Sequence, residues 1–582
     1  MLFIPPGADA RLLLIRGAEG LPLVWEADPR AAAISIEEAG AFAALINRDG
    51  AWPDTRLLLG ASVPGRLETS FSPAAMRMAF TATQTTVLAA GCCEAHELEA
   101  LLRPENADAL LKETKTNWRA LMGRFRLDGG DKPLGHYMNG WALYQTLACR
   151  MLARSSLYQC GGAVGFRDQL QDSVNLLLLD PAYTRAQILL CCRHQYAEGD
   201  VMHWWHALPE GDKGVRTRCA DDLLWLPWAL CAYVEATGDT ALCRQEESFV
   251  FSPPLEEQER DRYETPAPTA AKATVLEHAA AAIDRCVARG FGKHGLPLMG
   301  SGDWNDGLDR LGGESLWMGW FLSVCAGRFA DLLDRLGDSR GDTCRALAEK
   351  VGRAADACFN GRFYPRAWFA DGRSAGDKRL DSIAQSWAAF CPWADPAHVD
   401  AALSSAMERL VDREHSVVRL LDPPYTAEDS PGYISGYGPG YRENGGQYTH
   451  AAVWLARALL HAGRREEGWT LLRMLLPENH DPARYEAEPF VLPADVTAAR
   501  DREGQAGWTW YTGSAGWYFS GVAQDLLGLR LKDGRLTITP RLPRGFPGCT
   551  VHWKAPSGEP HRIVFHGDSV EVDGKPYDGG AI

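Results

Sequence analysis

Two aspartates and a tryptophan lie close together in the segment 300–307, which reads GSGDWNDG. Asp303 and Asp306 flank Trp304 and Asn305, and the segment follows the apolar run LPLM. A carboxylic acid can protonate a leaving oxygen, and an aromatic face can carry a sugar ring, so these residue types suit the cleavage of a glycosidic bond. The alternative is a turn without chemistry, because Asp, Asn and Gly are also turn formers.

Two earlier segments carry similar groups. In 165–172, GFRDQLQD, Arg167 and Asp168 belong to a forked hydrogen-bonding set that suits sugar hydroxyls, with a surface salt-bridge patch as the alternative. In 198–206, EGDVMHWWH, two histidines resemble metal ligands, but the spacing fixes no third ligand. We therefore expect no metal.

Two later segments could hold an anion. The first, 437–450, reads YGPGYRENGGQYTH and runs from a loop into a helix, whose N-terminus is a natural anion site next to His450. The second, 507–517, reads GWTWYTGSAGW, and its hydroxyl and backbone N–H donors suit phosphate. It lacks the Walker lysine, so we do not predict nucleotide binding. The alternatives are an ordinary loop with a satisfied histidine and an aromatic core with a tight turn.

The composition narrows the class of protein. The chain has 582 residues and a net charge of −15, which argues against nucleic acid or an anionic membrane surface as a partner. No apolar run is long enough to cross a bilayer, and the first residues do not resemble a signal peptide, so we expect a cytoplasmic protein. The 15 cysteines form no CxxC pair and are expected to be buried, reduced thiols. Many of the 20 tryptophans lie beside polar residues, which favours a carbohydrate substrate.

The elements that must position these groups follow from periodicity. Strands are predicted in a region covering 1–90, a helical linker over 91–134, and strands again over 526–582. Helices are predicted at 140–153, 184–196, 222–236, 274–289, 315–336, 343–358, 382–390, 398–410, 447–462 and 465–476. Allowing for two helices hidden by boundary error, these form an (α/α)6 barrel over 135–525. No fixed-period repeat supports a solenoid.

The segments together resemble a known family. GFRDQLQD, EGDVMHWWH, LPLMGSGDWNDG, GESLWMGWFL, RENGGQYTHAAVW and GWTWYTGSAGW are similar to the successive motifs of glycoside hydrolase family 94. That family comprises inverting β-glucoside phosphorylases and the C-terminal part of cyclic β-1,2-glucan synthases. The resemblance runs from about residue 110 to 545. The sequences GGAVGFRDQLQD and RENGGQYTHAA are more similar to the β-1,2-glucan branch than to cellobiose phosphorylase.

The resemblance implies an (α/α)6 catalytic barrel with an N-terminal β-sandwich, a helical linker and a small C-terminal β-element. It also implies roles for residues of this chain: a general acid, donor-sugar contacts, acceptor contacts and a phosphate site. The predicted site consists of the acid Asp306, the substrate contacts Arg167, Asp168, Trp304, Asp303, Tyr437, Arg442, Glu443 and Gln447, and the phosphate contacts His450, Thr512 and Gly513.

The chain departs from the family pattern in two places. The N-terminal region is far shorter than the family's usual sandwich, so we expect a reduced β region. Family members often dimerise with help from the sandwich, and a homodimer is compatible with the resemblance. A basic residue that cellobiose phosphorylases carry shortly before the FRD string is replaced by Gly162, which again favours the β-1,2 branch.

These observations predict a phosphorylase that cleaves a β-glucosidic bond, with a β-1,2-gluco-oligosaccharide as the favoured substrate. Phosphate is already an anion and needs no general base, whereas Asp306 would be held protonated by an apolar and aromatic setting. No cofactor is expected beyond inorganic phosphate as co-substrate. Two alternatives stay open: an inverting hydrolase with Glu443 or Glu488 as its base, and a non-catalytic carbohydrate-binding protein. Linkage, chain length and acceptor are not decided by the sequence.

Overall fold

The protein is represented by a computed structural model that describes residues 11–16, 22–27, 34–39, 42–47, 56–63, 65–71, 74–81, 83–152, 161–208 and 210–582. The chain divides into two compact units. The N-terminal unit comprises Met1–Leu121, Arg154–Gly162 and His206–Asp212, and the barrel unit comprises Met122–Ala153, Ala163–Trp205 and Lys213–Ile582. The four predicted domains divide the chain more finely and stay predictions.

The N-terminal unit contains eight described strands and two helices. The strands are β1 Arg11–Arg16, β2 Pro22–Ala27, β3 Ile34–Ala39, β4 Phe42–Asn47, β5 Arg56–Ala61, β6 Gly65–Phe71, β7 Ala74–Thr81 and β8 Thr85–Gly91. They form one sheet in the order β1-β8-β5-β4-β3 and a second in the order β2-β7-β6. The helices Ala95–Leu101 and Pro104–Met122 follow, and Leu98 and Leu102 pack with Leu58 and Val87. The predicted strands at β1, β5, β7 and β8 are confirmed, and the other four were missed.

The barrel unit is an (α/α)6 barrel. Within the described residues, the inner helices are Phe166–Val174, Trp225–Thr237, Leu316–Leu336, Ser382–Ala388, Thr449–His461 and Ser514–Ser520 with its continuation Gly521–Leu526. Each inner helix contacts the next, and the last contacts the first, so the ring closes. The outer helices are Pro181–Cys192, Val275–Ala288, Gly341–Asp356, Pro396–Leu410, Arg465–Met474 and the helical run Lys132–His136, Tyr137–Trp141, Ala142–Tyr144 and Gln145–Leu152.

All ten predicted helices are present, and the two that were missed are both inner helices. Phe166–Val174 and Ser514–Ser520 are short and buried almost all round. The buried positions of the first include Arg167, Gln171 and Asp172, so its buried residues are not only the apolar ones. The two helices coincide with two of the polar motifs. Arg167 and Asp168 therefore lie in the first turn of a helix and not on a loop.

The C-terminal residues form a sheet with a strand that precedes the barrel. Lys575–Pro576, Ser569–Val572, Pro560–His566 and Cys549–Lys554 pair in that order, and the last strand pairs with β9, Phe125–Gly129. Leu529–Lys532 and Arg535–Ile538 form a separate hairpin. The helical prediction was wrong at β9, whose alternating apolar residues Phe125 and Leu127 are buried. The N-terminal β-sandwich stays a prediction.

Two further expectations concern burial. Cysteines in the described part of the chain are free thiols, and most are buried. Leu316–Leu336 is long and apolar enough to cross a membrane, but 78% of its apolar window is buried inside the protein. A core helix of the barrel has the same length and composition, so this helix is weak support for a membrane span.

Short strands hold the loops at one end of the barrel. Gln447–Tyr448 pairs with Asp495–Val496, and Gly312–Ser315 pairs with Ala367–Phe369. These pairs join the loops before Thr449–His461 and Leu316–Leu336 to neighbouring segments. The motif residues near the N-terminal ends of the inner helices are thereby fixed relative to one another.

Candidate active site

A cavity of about 330 Å³ opens at the N-terminal ends of the inner helices. Its lining comes from four of the motif segments, which are far apart in sequence. The lining residues are Arg150, Arg167, Asp168, Trp304, Asp306, Arg442, Glu443, Tyr448, His450, Ala494, Trp508, Tyr511, Thr512 and Gly513. The structure thus brings together all the predicted site residues except Asp303, Tyr437 and Gln447.

Asp306 is the most exposed carboxylate of the GSGDWNDG loop. Its side chain is 43% exposed, and its Oδ1 accepts a hydrogen bond from Arg167 Nη2 at 2.8 Å. Arg167 also donates to Asp221 at 2.9 Å and to the Asp303 carbonyl at 3.0 Å. The expected apolar setting of Asp306 is therefore not found. Arg167 donates to the carboxylate, so a proton-donating role requires that Arg167 be drawn toward another anion.

Asp303 lies beneath the loop and is fully buried. Its carboxylate accepts hydrogen bonds from Arg366 at 2.6 Å, from the Ser315 hydroxyl at 2.7 Å and from the Asn305 N–H at 3.1 Å. Three donors from three segments leave it no free face toward the cavity. Asp303 therefore fixes the conformation of the loop through its hydrogen bonds and does not face a ligand in the cavity.

Trp304 forms part of the aromatic wall of the cavity. Its ring meets Tyr448 edge-on at 5.3 Å, His450 edge-on at 5.4 Å and Trp454 at 5.1 Å between centroids. These contacts fix the indole plane, and 8% of the residue stays exposed. A fixed aromatic face beside a carboxylate and arginines is a suitable surface for a sugar ring.

His450, Thr512 and Gly513 lie side by side. His450 is in the first turn of Thr449–His461, and a Cβ added to Gly513 would lie 3.3 Å from its ring. A side chain at 513 would therefore displace the imidazole. Within the described residues, the buried Nε2 of His450 has no hydrogen-bond partner. Burial lowers the pKa of His450 to about 3, despite the opposing effect of Asp168, so the ring is neutral at pH 7.

Arg150 is a lining residue that sequence reasoning missed. Its guanidinium donates to Asp172 at 2.8 Å, lies 3.5 Å from Asp168, and stacks over the Tyr511 ring at 4.3 Å. Burial would raise the pKa of Asp168, but Arg150 and then Arg167 outweigh it and lower the pKa. The signal was present, because Arg150 is the only charged residue of the predicted helix 140–153.

Arg442 and Glu443 bring the segment 437–450 to the wall of the cavity. Arg442 has a left-handed backbone (φ 47°) and donates to Glu443 at 3.3 Å. Burial raises the pKa of Glu443, and Arg442 lowers it by less. Tyr437 lies next to them, 5.4 Å from the Arg442 guanidinium, without lining the cavity. Gln447 is fully engaged, accepting from the Val418 N–H at 2.9 Å and donating to Thr449 at 3.1 Å.

The two histidines of EGDVMHWWH do not converge on one point. His206 hydrogen-bonds the Gly161 carbonyl, whereas His203 lies close to Cys219 and Asp222. Burial would lower the pKa of His203, but Asp222 at 2.7 Å overrides it and raises the pKa to about 9. Arg167 also approaches both Asp222, at 3.6 Å, and Cys219, at 3.8 Å. A protonated histidine and a guanidinium oppose a cation there, and the absence of a metal stays a prediction.

Tyr433 was also missed. Tyr433 is half-exposed, and its ring lies 6.3 Å from that of Tyr437. Its partial burial, followed by the charge of Asp306, raises its pKa. Trp508, which lines the cavity, is 53% exposed. Exposed aromatic rings at the mouth of a polar cavity can carry further sugar rings.

Comparison with known proteins agrees with this geometry. The family model described as "Glycosyl hydrolase 94 superfamily, catalytic domain" matches residues 117–528. The cyclic β-(1,2)-glucan synthase NdvB of Rhizobium meliloti (strain 1021) is 40% identical over 80% of this chain and 17% of its own length. The 3-O-β-D-glucopyranosyl-β-D-glucuronide phosphorylase of Paenibacillus borealis is 28% identical over 84% of this chain and 63% of its own.

The structural neighbours have the same fold. A bacterial glucoamylase complexed with acarbose superposes with a TM-score of 0.55 at 10% identity, covering 83% of this chain and 73% of that one. The chain spans about a sixth of the synthase and less than two-thirds of the phosphorylase.

Proposed function

Since the chain belongs to the glycosyl hydrolase 94 superfamily, we propose that it is an inverting glycoside phosphorylase. It cleaves a β-glucosidic bond with inorganic phosphate to give α-glucose 1-phosphate, and the reaction is reversible. The observation that carries the proposal is the shared cavity of about 330 Å³. It is lined by the half-exposed carboxylate of Asp306 and by His450, whose Nε2 has no hydrogen-bond partner among the described residues. One group suits proton donation and the other suits anion binding.

In this proposal Asp306 is the general acid. It protonates the glycosidic oxygen as the bond to the anomeric carbon breaks, and Trp304 carries the donor ring beside it. Arg167 holds the Asp306 carboxylate in the free protein. When phosphate and the donor sugar enter, Arg167 is drawn toward the phosphate. Asp306, which is 43% exposed, then takes up a proton from solvent and delivers it to the glycosidic oxygen.

Phosphate occupies the side of the cavity formed by His450, Thr512 and Gly513, with Arg150 as an additional cation. Neutral His450 donates one hydrogen bond, and the Thr512 hydroxyl and the guanidinium supply others. Phosphate then attacks the anomeric carbon from the face opposite the leaving oxygen, which inverts the β-linkage to α. No second carboxylate is needed, since the nucleophile is already charged. We propose no metal and no organic cofactor.

The favoured substrate is a β-1,2-linked gluco-oligosaccharide. The support is the 40% identity to a protein named as a cyclic β-(1,2)-glucan synthase, against 28% for the phosphorylase compared above. Asp168 and Arg167 contact the donor sugar, and Arg442, Glu443 and Tyr437 contact the acceptor. A cytoplasmic location and a homodimer complete the proposal.

An inverting hydrolase is the second candidate, because Glu443 lines the same cavity and burial raises its pKa. A general base of raised pKa could activate water. Glu488, the other candidate base, accepts a hydrogen bond from Trp510 at 2.9 Å and does not line the cavity. The hydrolase proposal therefore depends on Glu443 alone.

The deciding experiment is the phosphate dependence of cleavage. Purified protein is incubated with sophorose or a β-1,2-oligoglucan, with and without phosphate, and α-glucose 1-phosphate and glucose are quantified. A phosphorylase gives α-glucose 1-phosphate only when phosphate is present. Equal turnover in phosphate-free buffer, lost in Glu443→Gln, would establish the hydrolase. No turnover in either condition, with retained sugar binding, would favour the non-catalytic binder.

A further inference from the structure

A second cavity, of about 310 Å³, lies at the C-terminal ends of the inner helices. It is lined by residues from Asn175 at the end of Phe166–Val174 to His461 at the end of Thr449–His461. The candidate active site uses the other ends of these helices. A layer containing Trp454 separates the two, since Trp454 lines the second cavity while its ring lies 4.5 Å from that of His450. We call this second space the lower cavity.

The lower cavity contains several buried donors that lack acceptors. Among the described residues, the Asn175 Nδ2, Trp387 Nε1, Trp454 Nε1 and Arg457 Nη1 atoms have no hydrogen-bond partner, and all four side chains line the cavity. Unpaired buried donors cost free energy, so this lining favours an occupant that accepts hydrogen bonds over an apolar one. Four donors from three helices are more than one water molecule satisfies.

Charged groups in the lower cavity are paired and leave little net charge. Asp525 accepts from both Arg457 and Arg530, the latter at 2.6 Å, and Glu235 pairs with Arg328 at 2.9 Å. The arginines outnumber the carboxylates, but the carbonyl ends of the inner helices carry a partial negative charge that offsets them. An occupant therefore needs to be polar rather than charged.

Aromatic faces complete the lining. Trp228 and Trp517 both line the cavity, and the Arg457 guanidinium lies over the Trp517 ring at 4.8 Å. Indole faces, paired Arg and Asp side chains and unpaired N–H donors together match the apolar faces and the hydroxyl groups of a sugar ring. A volume of about 300 Å³ is at the lower end of the range for small-molecule sites.

The lower cavity is open to solvent at its rim. The Glu235 side chain is 59% exposed, and that of Arg530 is 48% exposed. A ligand can therefore enter past the Glu235–Arg328 ion pair without passing through the candidate active site. We propose that the lower cavity is a second carbohydrate-binding site, which takes a single neutral hexose ring. This inference does not depend on the proposed reaction.

The test uses glucose as the probe and three proteins: wild type, Arg530→Gln and Arg535→Gln. Arg530 reaches Asp525 in the lower cavity, whereas Arg535 is an exposed arginine of the adjoining hairpin strand and does not line it. Crystals of each are soaked in glucose, and tryptophan fluorescence is titrated in solution. We expect ring density in the lower cavity of the wild type and Arg535→Gln, and at least a fivefold weaker fluorescence response in Arg530→Gln.

The outcomes separate this site from the active site. Water alone in the lower cavity of the soaked wild type overturns the proposal. Ring density found only in the candidate active site also overturns it, because such density bears on the proposed function and not on the lower cavity. Equal titrations of Arg530→Gln and Arg535→Gln also overturn it. If Arg530→Gln is unstable, Glu235→Gln at the rim replaces it, and density in the lower cavity of the wild type is still required.

Discussion

The neutrality of His450 can be tested by replacing it with phenylalanine. His450→Phe keeps a ring that packs against Trp304 and Trp454 and removes both ring nitrogens. The wild-type ring is 7% exposed, and burial lowers its pKa to about 3, so at pH 7 it can act on phosphate only as a neutral donor. The substitution therefore removes one hydrogen bond to an anion without removing a charge.

The expected loss follows from the value of such a bond. A hydrogen bond to a charged group contributes about 1.5–3 kcal/mol, which corresponds to about 10- to 150-fold in a dissociation constant. We expect the KM for phosphate to rise by this factor in His450→Phe, with a smaller change in the KM for the sugar. Initial rates measured as a function of phosphate at saturating sugar give the comparison.

The same residue predicts a dependence of stability on pH. Its folded pKa of about 3 lies below the unfolded value of about 6.5, so the neutral form stabilises the fold fully above pH 6.5. That stability is lost progressively as the pH falls from 6.5 toward 3. Between pH 6.5 and 5 the loss is about 2 kcal/mol, at about 1.4 kcal/mol per pH unit. His450→Phe lacks this loss.

Two results would refute the reasoning on His450. The first is an unchanged phosphate KM in His450→Phe. The second is a drop in melting temperature between pH 6.5 and 5 that is as large in the variant as in the wild type. The exposed His566→Phe is the matched control, and it should leave both measurements at wild-type values.

Three further substitutions test the remaining assignments. Asp306→Asn should lower kcat by about 10²- to 10⁴-fold while calorimetry finds the sugar affinity retained; a smaller loss would mean that another group is the acid. Arg150→Gln should raise the phosphate KM by about tenfold or more, and Arg126→Gln, an exposed arginine, should not; equal effects would remove Arg150 from the phosphate site. Asp303→Asn leaves the buried Arg366 short of its closest carboxylate and should destabilise the fold by about 3 kcal/mol, seen as a lower denaturant midpoint; an unchanged midpoint would contradict the bracing role.

The fold could be predicted from the sequence where a helix has one solvent-exposed face and one buried face. The outer helix Gly341–Asp356 buries only Gly341, Ala348, Val351, Gly352 and Ala355, so its apolar stripe predicts a helix. The inner helix Phe166–Val174 is short, is buried almost all round and carries Arg167, Asp168 and Asp172. Polar groups packed inside a barrel weaken the link between apolar residues and buried positions on which helix prediction depends.

The candidate site could be predicted where chemistry-bearing residues are adjacent in sequence. Asp306 and Trp304 lie in one loop, and Thr512 and Gly513 lie in another. The two loops meet because the inner helices are parallel and begin at the same end of the barrel. The spacing of residues does not show whether Glu443 could act as a base. Burial raises the pKa of its carboxyl, and burial is known only from the fold. Asp303 could not be separated from Asp306, because only the fold shows that Arg366 covers it.

Arg150 shows how a cation can be supplied from an unexpected position. The basic residue that cellobiose phosphorylases carry shortly before the FRD string is Gly162 in this chain. The cavity nevertheless contains a guanidinium beside His450 and Thr512, because the outer helix Gln145–Leu152 directs Arg150 toward Tyr511. Asp172 and Asp168 hold this cation in place, and Asp168 is ionised for the same reason. We infer that Arg150, which the fold brings to the cavity from an outer helix, supplies the cation of the proposed phosphate subsite, so Arg150→Gln tests that subsite directly.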